Sequence, residues 1–155
     1  MTQAHPEIKI RIGCKNDAAV LAEFNQLLAK ETEGKELDNS TIMAGVVGGL
    51  ERPERCQYFV AESRGQVIGQ AMITYEWSDW RNGELWWLQS VYVQRDYRRQ
   101  GVFTGIYRYI ESLARKNESV RGLRLYVEEE NSPGRKVYSH LGMKHAGYHV
   151  YEVEF

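Results

Sequence analysis

The chain has 155 residues and a formal net charge of −1, with 43% apolar and 26% charged residues. This length fits one domain over residues 1–155, and the composition is that of a globular protein. The balanced charge argues against a nucleic-acid-binding protein, which carries a basic excess. No apolar run approaches the roughly 18 residues that a membrane span requires, and the N-terminus lacks the features of a secretory signal peptide. We therefore expect a soluble, cytoplasmic protein.

The first quarter of the chain predicts a strand followed by two helices. Alternating isoleucines indicate the strand over residues 7–13. A helix with one apolar face should follow, with Asn16 or Asp17 as its N-cap. A second helix is predicted to begin at Asn39 or Ser40, although its glycines each cost up to about 1 kcal/mol in a helix interior.

The middle of the chain predicts three strands. Residues 57–62 and 66–77 are separated by Arg64-Gly65, which indicates a hairpin. The dipeptide Asn82-Gly83 is a strong turn signal. It leads into an apolar run over residues 85–94, which is typical of a central strand covered on both faces.

The last part of the chain returns to helical spacing. Residues 101–116 predict a helix and residues 122–127 a strand. Ser132-Pro133 predicts the start of another helix, which should end near Gly142, and residues 148–155 alternate like a final strand. The predicted order is β-α-α-β-β-β-α-β-α-β, a mixed α/β (α+β) pattern that fits neither a doubly wound parallel sheet nor a β-barrel.

The two cysteines, Cys14 and Cys56, have no partners at metal-ligand spacing, and two cysteines make no disulfide framework. Free cysteine is among the most buried residue types. We expect two buried thiols and no bound metal.

A basic turn between the fourth predicted strand and the next helix is the strongest functional signal. Arg95, Arg98 and Arg99 fall within five positions, and Gly101 follows them. A helix N-terminus offers unpaired N–H groups and partial positive charge, which suits phosphate. The segment has neither the Walker pattern nor the dinucleotide pattern. A turn with solvated arginines before an ordinary helix start is the alternative that spacing leaves open.

The run Arg98-Arg99-Gln100-Gly101-Val102-Phe103 resembles the acyl-CoA-binding motif Arg/Gln-x-x-Gly-x-Gly/Ala of the GNAT N-acetyltransferase family. Arg98 and Gly101 match, whereas Phe103 replaces Gly or Ala. The element order is also similar over nearly the whole chain. The resemblance implies the GNAT fold, a mixed and mostly antiparallel sheet flanked by helices in which the central parallel strands splay. It implies that acetyl-CoA binds through Val91, Tyr92, Val93, Arg98, Arg99, Gln100, Gly101, Val102, Phe103 and Thr104.

A second segment is similar to the family's Asn-x-x-Ala-x-x-x-Tyr-x-x-x-Gly-Phe pattern. Asn131, Tyr138 and Gly142 match it, whereas Gly134 replaces Ala and Met143 replaces Phe. The resemblance implies that Asn131 binds the pantetheine arm of CoA. It also implies that Tyr138 is the general acid, because a phenol with a pKa near 10 stays protonated at neutral pH and can give a proton to the CoA sulfur. The alternative is that the Tyr138 ring only packs on the sheet.

The remaining catalytic groups are less well defined by the sequence. The resemblance implies an oxyanion donor among the backbone N–H groups near the end of the strand, at Tyr92 or Val93. Glu31 and Glu33 are candidates for a general base acting through water, or are solvated residues at a helix end. His140 and His145 match no catalytic position of the family.

Acidic and aromatic residues suggest how an amine is bound. Glu31, Glu33, Trp77 and Asp79 are candidate acceptor-binding residues, because carboxylates and indole rings hold cations by charge and by cation–π attraction. We expect the acceptor to be a small cationic amine, and neither a nucleic acid nor a membrane lipid. The alternative is that the tryptophans belong to the core and the acids are solvated.

The predicted function is transfer of the acetyl group of acetyl-CoA to the primary amine of a small molecule, by direct attack in a ternary complex. A non-catalytic acyl-CoA-binding or sensing module and a protein N-acetyltransferase are the alternatives. Dimers are frequent in the family, so a homodimer is also an expectation.

Overall fold

The structure, a computed structural model, describes residues 7–155. The chain divides into two compact units, one that ends at Leu125 and one that comprises Tyr126–Phe155. Across the described residues, no helix has the length and apolar character that crossing a lipid bilayer requires.

The first unit is built around one five-stranded sheet. Its elements are β1 (Ile8–Ile12), α1 (Ala18–Glu33), α2 (Asn39–Leu50), β2 (Cys56–Ser63), β3 (Gln66–Ser78), β4 (Gly83–Val93), α3 (Val102–Lys116) and β5 (Val120–Leu125). The strands lie in chain order, and every neighbouring pair is antiparallel except β4 and β5, which are parallel. This arrangement confirms the predicted mixed, mostly antiparallel fold class.

Helices cover both faces of this sheet, as the alternation of side chains along β2 shows. Tyr58 and Val60 pack with Leu21 of α1 in one buried cluster. The residue between them, Phe59, points the other way and meets the ring of Tyr109 on α3, with 6.0 Å between ring centroids. The sheet is therefore buried between α1 and α2 on one face and α3 on the other.

Turn chemistry in the first unit follows the sequence closely. Arg64 and Gly65 both have positive φ, 51° and 78°, and form the two-residue turn between β2 and β3. Asn82 also has a positive φ of 46°, directly before β4. The hairpin and the Asn-Gly turn were predicted correctly because glycine and asparagine tolerate left-handed backbone.

The second unit contains one helix, α4 (Ser132–His140). Asn131 caps it, since its Oδ1 accepts a hydrogen bond from the Gly134 N–H at 3.0 Å. Gly142 has a φ of 89°, the left-handed conformation expected after the helix. The final strand predicted over residues 148–155 is wrong: the segment has no regular secondary structure. Side-chain alternation alone does not make a strand, because a strand also needs a backbone partner.

A buried ion pair fixes the start of α1. Arg11 donates to both carboxylate oxygens of Asp17, at 2.8 and 2.9 Å, and its Nε donates to Glu62 at 2.9 Å. The backbone N–H of Cys14 donates to the same carboxylate at 2.8 Å. Cys56 is buried as expected, but Cys14 is exposed, so that part of the prediction is wrong; Cys14 belongs to this turn and not to the core.

Asp17→Asn should lower the free energy of unfolding by about 1–3 kcal/mol, because Arg11 then loses a charged partner in a mostly buried site. The pKa of Asp17 lies below its ordinary value, chiefly because Arg11 donates hydrogen bonds to the carboxylate. Burial acts to raise this pKa, and the hydrogen bonds from Cys14 help to lower it. A carboxylate with a lowered pKa stabilises the fold above its ordinary pKa, near 4, and loses this contribution as the pH falls through the folded value.

Urea denaturation at pH 7 and at pH 3 would measure this change, and the difference between variant and wild type should shrink at the lower pH. Glu51→Gln is the control, because the Lys15–Glu51 pair is exposed and such pairs contribute about 0–1 kcal/mol. Equal effects of the two substitutions would contradict the role given to Asp17.

Candidate functional site

A bulge interrupts β4 near its end. Met72 of β3 pairs with Gln89, and Gln70 pairs with Tyr92. The chain thus advances two residues along β3 but three along β4 between these two pairs. Ser90 lies inside this step and has a φ of +51°. A bulge bends the strand and changes the direction of the side chains that follow it. The last residues of β4 therefore point differently from the rest of the strand.

A fully buried glutamine supports the bulge. Gln70 has no exposed surface, and its Nε2 donates to the Ser90 carbonyl oxygen at 3.0 Å. The side chain lies inside an apolar layer, where a polar group without a hydrogen bond is costly. The bond to Ser90 thus ties the bulge to the neighbouring strand.

The parallel pair β4–β5 separates at the same place. Its ladder runs from Glu84 and Val120 to Leu88 and Leu125 and then stops. Within residues 7–125, the end of β4 after Leu88 has no strand partner on this side. Apart from the Val93 carbonyl, which accepts a hydrogen bond from Arg98, the N–H and C=O groups on that edge are available to an extended ligand, in the manner of strand addition.

The basic turn and α3 follow directly after this edge. Gly101 has a φ of 77°, and a Cβ on it would meet no atom within 4 Å, so backbone conformation and not space requires glycine there. The first helical hydrogen bond runs from the Gly105 N–H to the Gly101 carbonyl at 2.9 Å. The N–H groups of Val102, Phe103 and Thr104 precede that bond and have no acceptor in the helix. They form a site for an anion.

Arg98 is held in place by the strand and by α1. Its Nε donates to the Val93 carbonyl at 2.8 Å, its Nη2 donates to Glu31 at 2.8 Å, and its guanidinium lies 5.3 Å from the centroid of the Tyr92 ring. Arg95 donates to the same Glu31 carboxylate at 3.1 Å. Burial acts to raise the pKa of Glu31, but the hydrogen bonds and charges of the two arginines outweigh it and the pKa lies below its ordinary value. The Glu31 carboxylate is therefore ionised and already paired with Arg95 and Arg98.

Gly69 of β3 brings α3 close to the sheet. A Cβ at this position would lie 3.1 Å from Val102 Cγ1 and 3.3 Å from the Tyr92 carbonyl oxygen. Contacts of that length require the neighbours to move, and here one of them is backbone. A side chain at Gly69 would therefore push the start of α3 away from β4.

A cavity of about 490 Å³ opens on the α1 and α2 face of the sheet. Its wall is formed by glycines of α2, by Arg52 and Arg55 after that helix, and by side chains of β2 and β3 that include Thr74. Thr74 Oγ1 accepts a hydrogen bond from Gln89 Nε2 at 2.7 Å. Gln89 directly precedes Ser90, so the inner wall of the cavity reaches the strand that carries the bulge.

Comparison with known proteins identifies the fold family. The family model described as "Acetyltransferase (GNAT) family" matches residues 21–143. A solved structure described as "a possible acetyltransferase from Clostridium difficile 630" is 44% identical, over 96% of this chain and 97% of that chain, with a TM-score of 0.89. The chain belongs to the GNAT acetyltransferase family. No curated protein matches it.

More distant structures share the GNAT fold. A predicted acetyltransferase from Clostridium acetobutylicum, solved with acetyl-CoA, is 18% identical with a TM-score of 0.77, covering 95% of this chain and 96% of that one. The aminoglycoside N-acetyltransferase AAC(6')-Iy, solved with CoA, is 17% identical with a TM-score of 0.77, covering 99% of each chain. At these identities the likeness concerns the fold alone.

The predicted cofactor residues of the first unit form one continuous structure. Val91, Tyr92 and Val93 end β4, and the run from Arg98 to Thr104 forms the turn and the first residues of α3. The Gln100 side chain is occupied, since its Nε2 donates to the Asp96 carbonyl at 2.8 Å. Phe103, which departs from the family motif, places its ring 6.3 Å from that of Tyr107 along the same helix.

The two predicted residues of the second unit both belong to α4. Asn131 is its cap, and Tyr138 lies in its last turn. A Cβ on Gly134 would lie 2.7 Å from Asn131 Nδ2. Alanine, the usual residue of the family pattern at this position, would thus press on the capping side chain, and glycine relieves the contact.

The predicted acceptor residues are not gathered into one group by any described contact. Glu31 binds the arginines of the turn, and Glu33 lies 3.4 Å from Lys35. Trp77 is 63% exposed, and Asp79 accepts the backbone N–H of Trp80 at 2.9 Å. Their role in acceptor binding stays a prediction. Within residues 7–155, no cluster of three or more His, Cys, Asp or Glu side chains could hold a metal ion.

Sequence reasoning missed the residues that shape the site from behind. Gly69 and Gln70 stand together inside an otherwise apolar strand, which was a usable signal because both residue types are unusual in a strand interior. The bulge at Ser90 had no signal, since serine does not favour a positive φ. The part that Glu31 plays depends on a contact across 67 residues.

Gly101→Asp should weaken CoA binding at least tenfold, about 1.4 kcal/mol. The new carboxylate would repel a pyrophosphate at the α3 N-terminus, and the positive φ would strain a side chain there. Calorimetric titration with CoA would measure the loss. Gly65→Asp is a matched control, because its φ of 78° is also positive and its Cβ would also meet nothing within 4 Å. Unchanged CoA affinity in folded Gly101→Asp would rule out this anion site.

Proposed function

We propose that this GNAT protein transfers the acetyl group of acetyl-CoA to the primary amine of a small molecule, by direct attack in a complex that holds both substrates. The observation that carries the proposal is the anion site at the start of α3 beside the unpaired edge of β4. CoA offers a pyrophosphate for the first and the amide groups of an extended pantetheine arm for the second. The edge of β4 leads directly into the anion site at the start of α3, and in CoA the pantetheine arm is joined directly to the pyrophosphate.

Backbone groups bind most of the cosubstrate in this proposal. The N–H groups of Val102, Phe103 and Thr104 hold the pyrophosphate, and the exposed guanidinium of Arg99 adds charge. The edge of β4 from Val91 to Val93 pairs with the pantetheine arm. The family pattern adds Asn131, whose Oδ1 caps α4 and whose amide N–H₂ remains for the arm.

Two groups act at the reacting thioester. A backbone N–H near Tyr92 or Val93 stabilises the negative charge that develops on the carbonyl oxygen, since preformed donors are effective there. Tyr138 gives a proton to the departing sulfur, a role carried over from the family pattern. Burial raises the pKa of Tyr138 above its usual value near 10, so the phenol keeps its proton at neutral pH.

The chemistry of Cys56 favours direct attack. Burial, together with the charge of Glu54, raises the pKa of this thiol. A protonated thiol is a poor nucleophile, which disfavours an acyl-cysteine intermediate. Glu31 is also a poor base, because the two arginines hold it ionised with a lowered pKa. The acceptor amine therefore reacts after losing its proton to water, and the rate should rise with pH up to the pKa of the amine.

Tyr138→Phe should leave the dissociation constant of acetyl-CoA unchanged and lower turnover roughly a hundredfold, the usual contribution of a positioned acid. The measurement is release of free thiol from acetyl-CoA in the presence of a panel of primary amines. Tyr151→Phe is the matched control, because Tyr151 lies in the same unit and is 92% exposed.

If Tyr138→Phe turned over at the wild-type rate, Tyr138 would be a packing residue and not the general acid. A protein that binds acetyl-CoA tightly but releases no thiol with any amine would instead be an acyl-CoA-binding module, and the proposed activity would be wrong.

A further inference from the structure

The cavity between α2 and the sheet exists because α2 lacks side chains on one face. Gly45, Gly48 and Gly49 line it, and their spacing of three and four residues places them on the same side of the helix. A Cβ on Gly49 would lie 2.9 Å from Cys56 Sγ, whereas a Cβ on Gly45 would meet no atom within 4 Å. Gly49 is therefore needed for close packing, and the space over Gly45 is open.

One end of the cavity carries two arginines, and the charge of Glu54 reaches Cys56 in the same wall without forming an ion pair with either of them. Among residues 7–155, no carboxylate lies within 4.0 Å of the guanidinium of Arg52 or Arg55. Arg52 Nη1 donates only to the Gly48 carbonyl, at 3.0 Å. The neighbouring acid Glu51 is occupied by Lys15. Two guanidinium groups without ion-pair partners among these residues, at the wall of a cavity, suit an anionic ligand.

A neutral donor lies deeper in the same cavity. Burial raises the pKa of Tyr58 to about 12, so its phenol stays protonated. The hydroxyl lies 3.8 Å from the position of a Cβ on Gly49, at the helix side of the cavity. Tyr58 can therefore donate a hydrogen bond without adding negative charge beside the arginines.

The wall of the cavity is connected through the sheet to β4, the strand that leads to the reacting centre of the proposed function. Cys56 pairs with Thr74, and Thr74 pairs with Trp87 across the sheet. The strand that begins beside Arg55 and the strand with the bulge are thus two strand spacings apart, on the order of 10 Å. The hydrogen bond from Gln89 to Thr74 connects the cavity wall to the residue before Ser90. The proposed reacting centre near Tyr92 lies five residues further along β4 than Trp87, which adds on the order of 16 Å at about 3.3 Å per residue. The acceptor that spans from the arginines to this point is therefore long and extended.

We infer that the cavity binds the acceptor, and that the acceptor carries an anionic group, held by Arg52 and Arg55, in addition to its primary amine. The inference rests on the proposed acetyl transfer and gives the substrate class of that site. It differs from the cationic acceptor that the sequence favoured. Glu31 and Glu33 already have basic partners, whereas Arg52 and Arg55 form no ion pair with any acid among residues 7–155.

The first test compares acceptors that differ only in the anionic group. Linear ω-amino acids, the corresponding ω-amino carboxamides and aminoalkylphosphonates would be assayed by thiol release, with rates corrected for the fraction of neutral amine. The value of kcat/KM should be at least tenfold higher for an anionic series than for the carboxamides. The carboxylate and phosphonate arms then show which anion the arginines prefer. Equal values for the neutral and anionic series would overturn the inference.

The second test removes the charges. Arg52→Gln and Arg55→Gln should each raise the KM for the anionic acceptor at least fivefold and leave the KM for acetyl-CoA and for the carboxamide unchanged. Arg64→Gln is the control, since Arg64 is an exposed arginine in the turn between β2 and β3. A loss that is equal for anionic and neutral acceptors would indicate a structural effect and would contradict the assignment.

The third test fills the cavity without disturbing the fold. Gly45→Leu adds a side chain where the Cβ meets nothing, and it raises helix propensity, so melting temperature should not fall. Acetylation should drop at least tenfold while CoA affinity stays the same. If amines are acetylated normally by this variant, the acceptor binds elsewhere and only the present inference fails. If the wild type acetylates other primary amines but neither of these series, only the present inference fails. If it binds acetyl-CoA but releases no thiol with any primary amine, the proposed function fails and this inference with it.

Discussion

The hydrogen bond from buried Gln70 to the carbonyl of Ser90 is the interaction on which the candidate site depends. It holds a bulge that shifts the register of β4 against β3, and the parallel ladder with β5 ends beside it. After the bulge, Tyr92 turns toward α1 and meets Phe24, with 5.0 Å between ring centroids. An unbroken β4 would continue its pairing and present no free backbone edge. A local break in one strand thus makes the space that an extended ligand needs.

The ion pairs of the basic turn contribute little to stability, and their main effect is to fix the position of the turn. The pairs of Glu31 with Arg95 and Arg98 are largely exposed on the arginine side, and such pairs contribute about 0–1 kcal/mol. Their geometric effect is larger, because Arg98 also binds the Val93 carbonyl and covers Tyr92. Glu31 lies near the end of α1, so that helix is joined to the turn before α3. In the proposed site, the anion is therefore bound mainly by the backbone N–H groups at the start of α3.

A chain with a net charge of −1 can still have two separate sites for anions. At the start of α3, unpaired N–H groups and the helix dipole supply the positive potential. Beside α2, the guanidinium groups of Arg52 and Arg55, which form no ion pair with an acid of residues 7–155, supply it. The first site suits a pyrophosphate that is bound through backbone, and the second suits the anionic end of a small acceptor. The overall charge therefore argues against a polyanion as a partner and leaves small anionic ligands possible.

The sequence by itself determined the fold class and nearly all of the elements, because apolar periodicity and turn residues are local properties. It also predicted the anion-binding run from Arg98 to Thr104, because a glycine before a helix is a local signal too. The strand predicted over residues 148–155 was wrong because apolar alternation is local, whereas a strand needs a backbone partner from elsewhere in the chain. The bulge at Ser90, the contact between Glu31 and Arg98 and the cavity under α2 join residues far apart in the chain. Whether Glu31 faces a ligand or an arginine, and whether Arg55 meets a carboxylate, depends on which segments pack together, and only the tertiary structure decided that.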